Sequence, residues 1–125
     1  NVHHELLPEY QNAQSIIWQI FNKSRHSGFT IHKIDTNIDT GDILYRKEVP
    51  INFYSKLSKT VSHNYVTLWR KSSKAVIKII KNFSYYDSNL IKQNNGSKYT
   101  TPSFFQLIKI YLNHNSLFKS YKKDN

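Results

Sequence analysis

Two segments rich in β-forming residues flank a short acidic loop, and this arrangement limits the fold more than any other feature. Apolar and polar residues alternate around Thr30 and His32 within residues 29–34, and residues 42–49 are rich in strand formers. Residues 35–41 connect them. The pattern predicts two neighbouring strands joined by a loop that presents carboxylates.

Helical patterns surround these strands. Residues 13–24 place Ile16, Ile17, Ile20 and Phe21 on one apolar stripe, which predicts an amphipathic helix. Trp18 falls off that stripe and is expected to contribute to packing. A mixture of helices and strands in this order predicts the α/β class.

The second half of the chain reads as helical with one interruption. Residues 55–83 predict one long helix or two shorter ones, with Ser72 and Ser73 marking a kink or join. Residues 84–101 have the composition of a loop. Residues 104–112 predict a short helix, and residues 119–125 are expected to fray.

Three groups suited to acyl chemistry lie around the predicted strands: the amide of Asn1, the imidazole of His3 and the carboxylate of Asp39. When an amine attacks an acyl carbon, an oxyanion develops and the amine loses a proton. A neutral amide can donate to the oxyanion, and an imidazole and a carboxylate can move the proton. Together these residue types indicate an active site.

The loop itself has a second interpretation. Asp35, Asp39 and Asp42 lie within eight residues, so burial together would raise the pKa of at least one carboxyl group. Carboxylates, an Asn and a Gly at short spacing could also bind Ca²⁺. The spacing matches no EF-hand, and we therefore expect no metal site here.

The segment from Asn1 to Leu44 resembles the formyltransferases that use 10-formyltetrahydrofolate, a family that includes methionyl-tRNA, glycinamide ribonucleotide and sugar N-formyltransferases. The resemblance rests on ordered motifs: an Asn-x-His that runs into Leu-Leu-Pro, a Thr-x-His strand, and an Asp in a Gly-containing loop. It implies an α/β fold that forms the back portion of a Rossmann-like domain, with a helical C-terminal extension.

The resemblance also implies roles for individual residues. Asn1 and His3 would serve the oxyanion and donate a proton, and Asp39 would orient the imidazole and accept the amine proton. Thr30 and His32 would support the loop, while Ile38, Thr40 and Gly41 would contact the folate. The chain departs from the family pattern after the Pro, where Tyr10-Gln11-Asn12 replaces Tyr-Arg-Gly, and at Glu5, which replaces a frequent Ser. Asn is the best substitute for Gly at positive φ.

The chain is expected to be a portion of a longer protein, because the family places a Rossmann-type half before the Asn-x-His. We divide it into a partial catalytic domain, 1–83, and a loop and helical tail, 84–125. With no Cys there is no sign of an oxidising compartment, so cytoplasm is the default. No apolar run suggests a membrane span. A homo-oligomer is compatible with the sequence.

The net charge of +10 is concentrated in one part of the chain. Residues 1–48 hold five Lys or Arg against six Asp or Glu, whereas residues 49–125 hold thirteen against two. Such a basic segment suits nucleic acid, an anionic membrane surface or a phosphorylated substrate, and it is equally compatible with a solvated surface that binds none of them. The alternative to an enzyme is therefore a basic module whose lysines contact phosphates and whose tyrosines stack on bases.

For an enzyme, the favoured amine acceptor is an amino sugar carried on a nucleotide. Residues 84–125 are too few for the β-barrel with which methionyl-tRNA formyltransferases read tRNA. The basic helix and the Tyr-rich loop could contact a diphosphate and a sugar or base ring. Methionyl-tRNA and glycinamide ribonucleotide remain the alternative acceptors.

Overall fold

The computed structural model describes residues 1–13 and 15–125, so only Gln14 within the first predicted helix lies outside the described residues. The chain forms, in order, β1 (Val2–His3), α1 (Ile17–Phe21), β2 (His26–His32), β3 (Ile43–Pro50), α2 (Leu57–Lys81), α3 (Phe83–Ser88) and α4 (Phe104–Asp124). This is the α/β arrangement that the sequence predicts.

The three strands form an antiparallel sheet in the order β1-β2-β3. Thr30 pairs with His3 on one side and with Arg46 on the other, which places β2 in the centre. β2 is buried from its second residue onward, since α2 packs against it. The sheet therefore holds the opening segment of the chain against its centre.

α1 is shorter than the predicted helix over residues 13–24. It ends at Phe21 because Lys23 adopts a φ of 56°, which a helix cannot accommodate, and the Ser24 amide bonds back to the Gln19 carbonyl. Trp18 is buried, as expected, but Gln19 is buried as well because its amide donates to Glu5. The side of α1 that faces away from the predicted apolar stripe is therefore buried as well.

α2 is one continuous helix of 25 residues, so the two serines mark no break. The Ser72 and Ser73 hydroxyls both donate to the Trp69 carbonyl, at 3.0 and 2.8 Å, and are accommodated within the helix. Ser72 is also buried, which places this middle part of α2 against the opening segment of the chain.

α4 extends well beyond the predicted short helix. It begins with a capping box between Ser103 and Gln106 and continues to Asp124, so the residues expected to fray are helical. The helix packs on α1, where the Asn113 side-chain amide donates to the Phe21 carbonyl at 2.7 Å. An ion pair of 2.7 Å between Arg25 and Asp124 closes the end of the helix.

The core lies between the sheet, α1 and the inner faces of α2 and α4. Apolar burial supplies most of its stability. Residues 84–101, predicted as a loop, contain α3 and then return to the sheet, where Ile91 forms an isolated bridge with Ile43. The buried apolar residues of the core are Ile16, Ile20, Phe29, Ile31, Val49, Ile51, Phe53, Leu68, Ile79, Ile110 and Leu117.

Candidate active site

The antiparallel pairing of β1 with β2 continues to Asn1 and places it beside His32. The Asn1 nitrogen donates to the His32 carbonyl at 2.8 Å, and the His32 amide donates to the Asn1 carbonyl at 3.0 Å. As a result, the Asn1 side-chain nitrogen lies 3.2 Å from His32 Nε2. Two residues that are 31 positions apart in the chain thus form one polar pair.

The partners of His32 assign its tautomer. Nδ1 lies 2.8 Å from the Lys33 carbonyl, which can only accept, so Nδ1 carries the proton and Nε2 accepts from the Asn1 amide. Burial lowers the pKa of His32 below its ordinary value, which favours this neutral form. Because one amide hydrogen of Asn1 is used in this contact, the other remains available to an incoming oxygen.

His3 has the opposite tautomer to His32. Its Nε2 donates to the Tyr10 carbonyl at 2.9 Å, so the neutral ring keeps its lone pair on Nδ1. That nitrogen faces Asp39 Oδ2 across 3.6 Å. A proton taken up by Nδ1 would therefore be stabilised by the carboxylate in front of it.

Asp39 is fixed by contacts from three other parts of the chain. Its Oδ2 accepts from the Asn12 backbone amide at 3.0 Å, and its Oδ1 lies 3.6 Å from His32 Nε2. Its carbonyl accepts from the Gln93 amide at 3.1 Å. With a φ of 57°, the Asp39 backbone itself is in the left-handed region, which is compatible with Asp. The carboxylate is thus directed between two imidazoles.

Asn12 occupies the position where the resembled family has Gly. It adopts a φ of 59°, so the left-handed conformation is retained with the residue best able to replace Gly. Its side chain also donates to the Tyr99 carbonyl at 2.9 Å, a contact that Gly could not make. The turn can therefore present its backbone amide to Asp39 despite the substitution.

Thr30 is completely buried and connects β2 to the segment that follows His3. Its hydroxyl donates to the Glu5 carbonyl at 2.8 Å and accepts from the Leu7 amide at 3.0 Å. The chain around Glu5 and Leu7 is consequently anchored to the centre of the sheet. The contacts are those of a supporting residue, and Thr30 bonds none of the three groups assigned to catalysis.

The loop residues assigned to the folate have different environments. Ile38 is 66% exposed and presents an apolar surface to solvent. The Thr40 hydroxyl donates to the Asp35 carboxylate at 2.7 Å, which stabilises the loop from within. Gly41 lies so close to the Lys33 carbonyl that any Cβ would collide with it, so the close approach of two backbones requires Gly here.

The three loop carboxylates do not share one buried site. Asp35 lies at the surface, where hydrogen bonds from the Thr40 hydroxyl and the Asn37 amide lower its pKa. The raised pKa expected from crowding is therefore absent at Asp35. Asp39, in contrast, turns away from Asp35 toward the histidines. Local hydrogen bonds have separated the charges that the sequence places together.

A polar cavity of about 320 Å³ opens beside His3 and Asp39. Two of its other residues, His4 and Tyr65, were not identified from the sequence as site residues. His4 bonds to the Ser72 hydroxyl at 3.0 Å, and its ring meets Tyr65 edge-on with centroids 5.7 Å apart. Tyr65 belongs to the apolar stripe of α2, and only the packing of α2 beside β1 brings it here. The same two residues border an adjoining, mostly apolar cavity of about 420 Å³.

Within residues 1–13 and 15–125, no three His, Asp or Glu side chains are placed to hold a metal ion together. Among these same residues, no helix combines the length and apolar character that crossing a membrane requires. The arrangement instead offers a histidine and a carboxylate at a polar cavity, with the Asn1 amide held beside the neighbouring His32. This set can stabilise a negative oxygen and accept a proton from an amine.

Comparisons with known proteins agree with this geometry. The chain is 36% identical over 102 residues to the methionyl-tRNA formyltransferase of Buchnera aphidicola subsp. Baizongia pistaciae, across 80% of this chain and 29% of that relative. It is 39% identical over 51 residues to the GDP-perosamine N-formyltransferase of Brucella melitensis, across 41% of this chain and 20% of that relative. The chain thus spans less than a third of the length of either relative.

A solved structure extends the likeness to three dimensions. The formyltransferase PseJ from Anoxybacillus kamchatkensis, in complex with UDP-4,6-dideoxy-4-formamido-L-AltNAc and tetrahydrofolate, superposes with a TM-score of 0.64 at 27% identity. The match covers 81% of this chain and 51% of that one. The expected fold, a portion of a formyltransferase domain with a helical C-terminal part, is confirmed by this match.

A family model described as formyl transferase matches residues 1–80, well over half of the 125 residues. The matched region contains Asn1, His3, His32 and Asp39, the residues that converge in the structure. The resemblance drawn from the sequence motifs is therefore confirmed, and the chain belongs to the formyl transferase family.

Proposed function

We propose that this chain carries the catalytic centre of an enzyme that transfers a formyl group from 10-formyltetrahydrofolate to a primary amine. The observation that carries the proposal is the convergence of His3 and His32 on the Asp39 carboxylate, with the Asn1 amide bonded to His32. PseJ, a member of the same family, was solved with tetrahydrofolate, which supports a folate donor. Bound 10-formyltetrahydrofolate would supply the formyl carbon.

The roles of the residues follow from their partners. Asn1 is oriented by the neutral His32 and donates its second amide hydrogen to the formyl oxygen as negative charge develops there. Asp39 accepts the proton that the attacking amine must lose. His3 takes this proton from Asp39 on Nδ1 and donates it to the departing folate nitrogen, which leaves Asp39 ionised and His3 neutral again.

The cavity beside His3 and Asp39 fits this chemistry. It is small and polar, and the side chains of His3 and Asp39 are only 11% and 10% exposed. Reduced access to water strengthens the electrostatic contacts and protects the formyl group from hydrolysis. We assign the folate contacts to the loop containing Ile38, Thr40 and Gly41, where Ile38 offers an exposed apolar side chain.

As the acceptor we propose an amino sugar carried on a nucleotide. PseJ was solved with a UDP-linked formamido sugar, and the Brucella relative is named for GDP-perosamine. The apolar cavity next to the catalytic one would suit the methyl group and ring of a deoxysugar, since its lining includes Ile16, Ile17 and Val61. The amine could then reach Asp39 from that side.

A second candidate acceptor is methionyl-tRNA. It is favoured by the similarity to the Buchnera enzyme, which extends over 102 residues. The same apolar cavity could receive a methionine side chain, so the cavity alone does not separate the two acceptors. The distinction must come from the polar part of each substrate.

A competition assay tests both parts of the proposal. The complete gene product would be supplied with 10-formyltetrahydrofolate and equal concentrations of a nucleotide-linked amino sugar, methionyl-tRNA and glycinamide ribonucleotide. We expect folate-dependent formylation, fastest on the sugar. Faster formylation of either alternative would overturn the acceptor only, whereas no folate-dependent formylation of any amine would overturn the reaction.

A further inference from the structure

A second cavity, separate from the catalytic one, lies where β3, α2 and α3 meet. It has a volume of about 340 Å³, and its lining includes four lysines and two tyrosines. None of its residues borders the catalytic cavity or the apolar cavity beside it. The lysines are Lys47, Lys71, Lys74 and Lys78, and the tyrosines are Tyr45 and Tyr86.

The secondary structure explains why the lysines converge. Lys71, Lys74 and Lys78 follow one another at intervals of three and four, so they lie on one side of α2. Lys47 comes from β3, where it pairs with Phe29 on the sheet that α2 covers. Four lysine side chains from two elements therefore line one cavity.

The four lysines are exposed, and their mutual repulsion, which is modest in water, would be reduced by a bound anion. Like charges at i and i+4, such as Lys74 and Lys78, destabilise a helix. In the described part of the chain none of the four lysines forms an ion pair. The nearest acid on α3, Asp87, is paired with Lys33 at 2.6 Å. Glu48 follows Lys47 on the strand and so points to the opposite face of the sheet.

The floor of the cavity is aromatic. The Tyr45 and Tyr86 rings meet at 88° with centroids 6.2 Å apart, and both side chains are partly accessible. Phe29 lies beneath Tyr45 at 6.1 Å and helps to hold that ring in place. Such a ring face binds a flat heterocycle by stacking, while the phenol can still form hydrogen bonds.

We propose that this cavity binds the nucleoside polyphosphate part of a ligand, with the phosphates among the four lysines and the base against Tyr45 and Tyr86. Lysines act as point-charge partners for phosphate. The volume of about 340 Å³ lies at the lower end of the range for small-molecule sites, which suits a single nucleotide. The proposal does not depend on formyl transfer, because no catalytic residue takes part.

Direct binding of a fluorescent ATP analogue to the complete gene product tests the charge contribution. Lys71→Ala/Lys74→Ala/Lys78→Ala should weaken binding by roughly tenfold or more, since three phosphate partners are lost. The matched control, Lys119→Ala/Lys122→Ala/Lys123→Ala, removes the same charge from exposed positions of α4 that lie outside the cavity. It should change the affinity by less than about twofold. Equal losses in both variants, or no binding by the wild type, would overturn the proposal.

A second comparison tests the aromatic contribution. Tyr86→Leu should weaken binding of the ATP analogue and leave binding of inorganic triphosphate unchanged, which also reports that the altered protein is folded. If inorganic triphosphate bound the wild type as tightly as the ATP analogue does, the assignment of Tyr45 and Tyr86 as the base site would be overturned.

Competition shows which nucleotide-containing molecule binds this cavity. Unlabelled ATP, a nucleotide-linked amino sugar and a short single-stranded RNA would each be titrated against the analogue. Displacement by ATP or by the nucleotide sugar at comparable concentrations supports a site for one nucleotide and identifies which source binds better. RNA that binds more tightly than ATP and the nucleotide sugar, with a salt dependence steeper than the release of four counterions would give, would indicate an extended RNA surface. That result would overturn the proposal.

Discussion

His3 Nδ1 and Asp39 Oδ2 lie 3.6 Å apart and face each other without a hydrogen bond between them. Each is held by a different backbone group, His3 by the Tyr10 carbonyl and Asp39 by the Asn12 amide. In the proposed mechanism, this gap lets either group exchange a proton with a substrate while both keep their orientation. The following predictions depend on this geometry and on the burial of Glu5 near it.

Asp39→Asn should reduce formyl transfer by about a hundredfold or more, because an amide cannot accept the amine proton. Asn can still accept from the Asn12 amide, so the loop and folate binding should be largely unchanged. Turnover and folate affinity of the complete gene product are the measurements. Asp35→Asn removes the same charge from the same loop and should leave turnover within about threefold, since Asp35 is at the surface. Transfer at the wild-type rate by the Asp39 variant would remove Asp39 from the mechanism.

Asn1→Ala and His3→Ala should each reduce turnover by about a hundredfold, the usual scale for an oxyanion donor or an acid–base group. Neither change should lower stability by more than roughly 1–2 kcal/mol, because each removes one or two hydrogen bonds. Single-turnover rates and urea unfolding separate the two effects. If both variants retain more than a tenth of the activity, these residues only position the site.

Glu5 should make the stability of the fold decrease from mildly acidic to alkaline pH. Burial raises its pKa from 4.5 to about 8. One carboxyl oxygen accepts from the Gln19 amide, while Glu5 Oε1 and Gln19 Oε1 have no partner in the described part of the chain. A protonated carboxyl group can donate from Oε1 to the Gln19 oxygen and so satisfy both atoms.

The direction of this pH dependence follows from the number of protons that the folded and unfolded chains bind. Below pH 4.5 the carboxyl is protonated in both states, whereas between pH 4.5 and about 8 only the folded chain keeps the proton. The free energy of unfolding should therefore fall with rising pH in this window, by on the order of 1 kcal/mol per pH unit, and level off above it.

Glu5→Gln should abolish this slope, because the replacement is neutral and can still pair with Gln19. Urea unfolding at several values between pH 5 and pH 8.5 measures it, and the variant should exceed the wild type in stability at pH 8. Glu9→Gln is the control, since Glu9 is exposed and paired with Arg46 at 3.1 Å. A wild-type slope retained by the Glu5 variant would contradict the buried proton.

Asn12 should tolerate Gly but not a β-branched residue. Asn12→Gly keeps a φ of 59° accessible and loses the side-chain contact with Tyr99. Asn12→Val should cost roughly 1–2 kcal/mol more and move the amide that bonds Asp39, because a β-branched residue strains this conformation. We expect near wild-type turnover for Gly and at least about a tenfold loss for Val, since misplacement of a catalytic group is costly. If the two variants were equally active, the conformation of this turn would not affect catalysis.

Local patterns were enough to predict much of this fold and site. The alternation around Thr30 and His32 predicted a strand over residues 29–34, and β2 lies there but begins and ends earlier, at His26–His32. The stripe over residues 55–83 predicted one long helix or two shorter ones, and α2 is one long helix. The Asn-x-His, Thr-x-His and Asp motifs identified the groups that meet in the site, because acyl transfer requires those residue types. The loss of the family's Gly left the backbone at Asn12 open, and the structure shows that Asn12 keeps the left-handed conformation, which Asn adopts more readily than most residues.

Contacts between distant parts of the chain were not predictable in this way. Gln93, within the predicted loop, donates to the Asp39 carbonyl, and Tyr65 leaves its expected core position to border the catalytic cavity. α4 extends to Asp124, with α1 as the partner of Asn113 near its middle and Arg25 as the partner of Asp124 at its end. No local propensity encodes these partners.

The sequence by itself determined which chemical groups the protein has and which short segments prefer strand, helix or left-handed turn. Such preferences act over a few residues and are readable in order along the chain. The tertiary structure decided which groups meet: Asn1 reaches His32 through strand register, Glu5 keeps a proton through burial, and Lys47 joins the lysines of α2 through packing. Register, burial and packing depend on the whole chain at once, because each is set by the free energy of many simultaneous contacts.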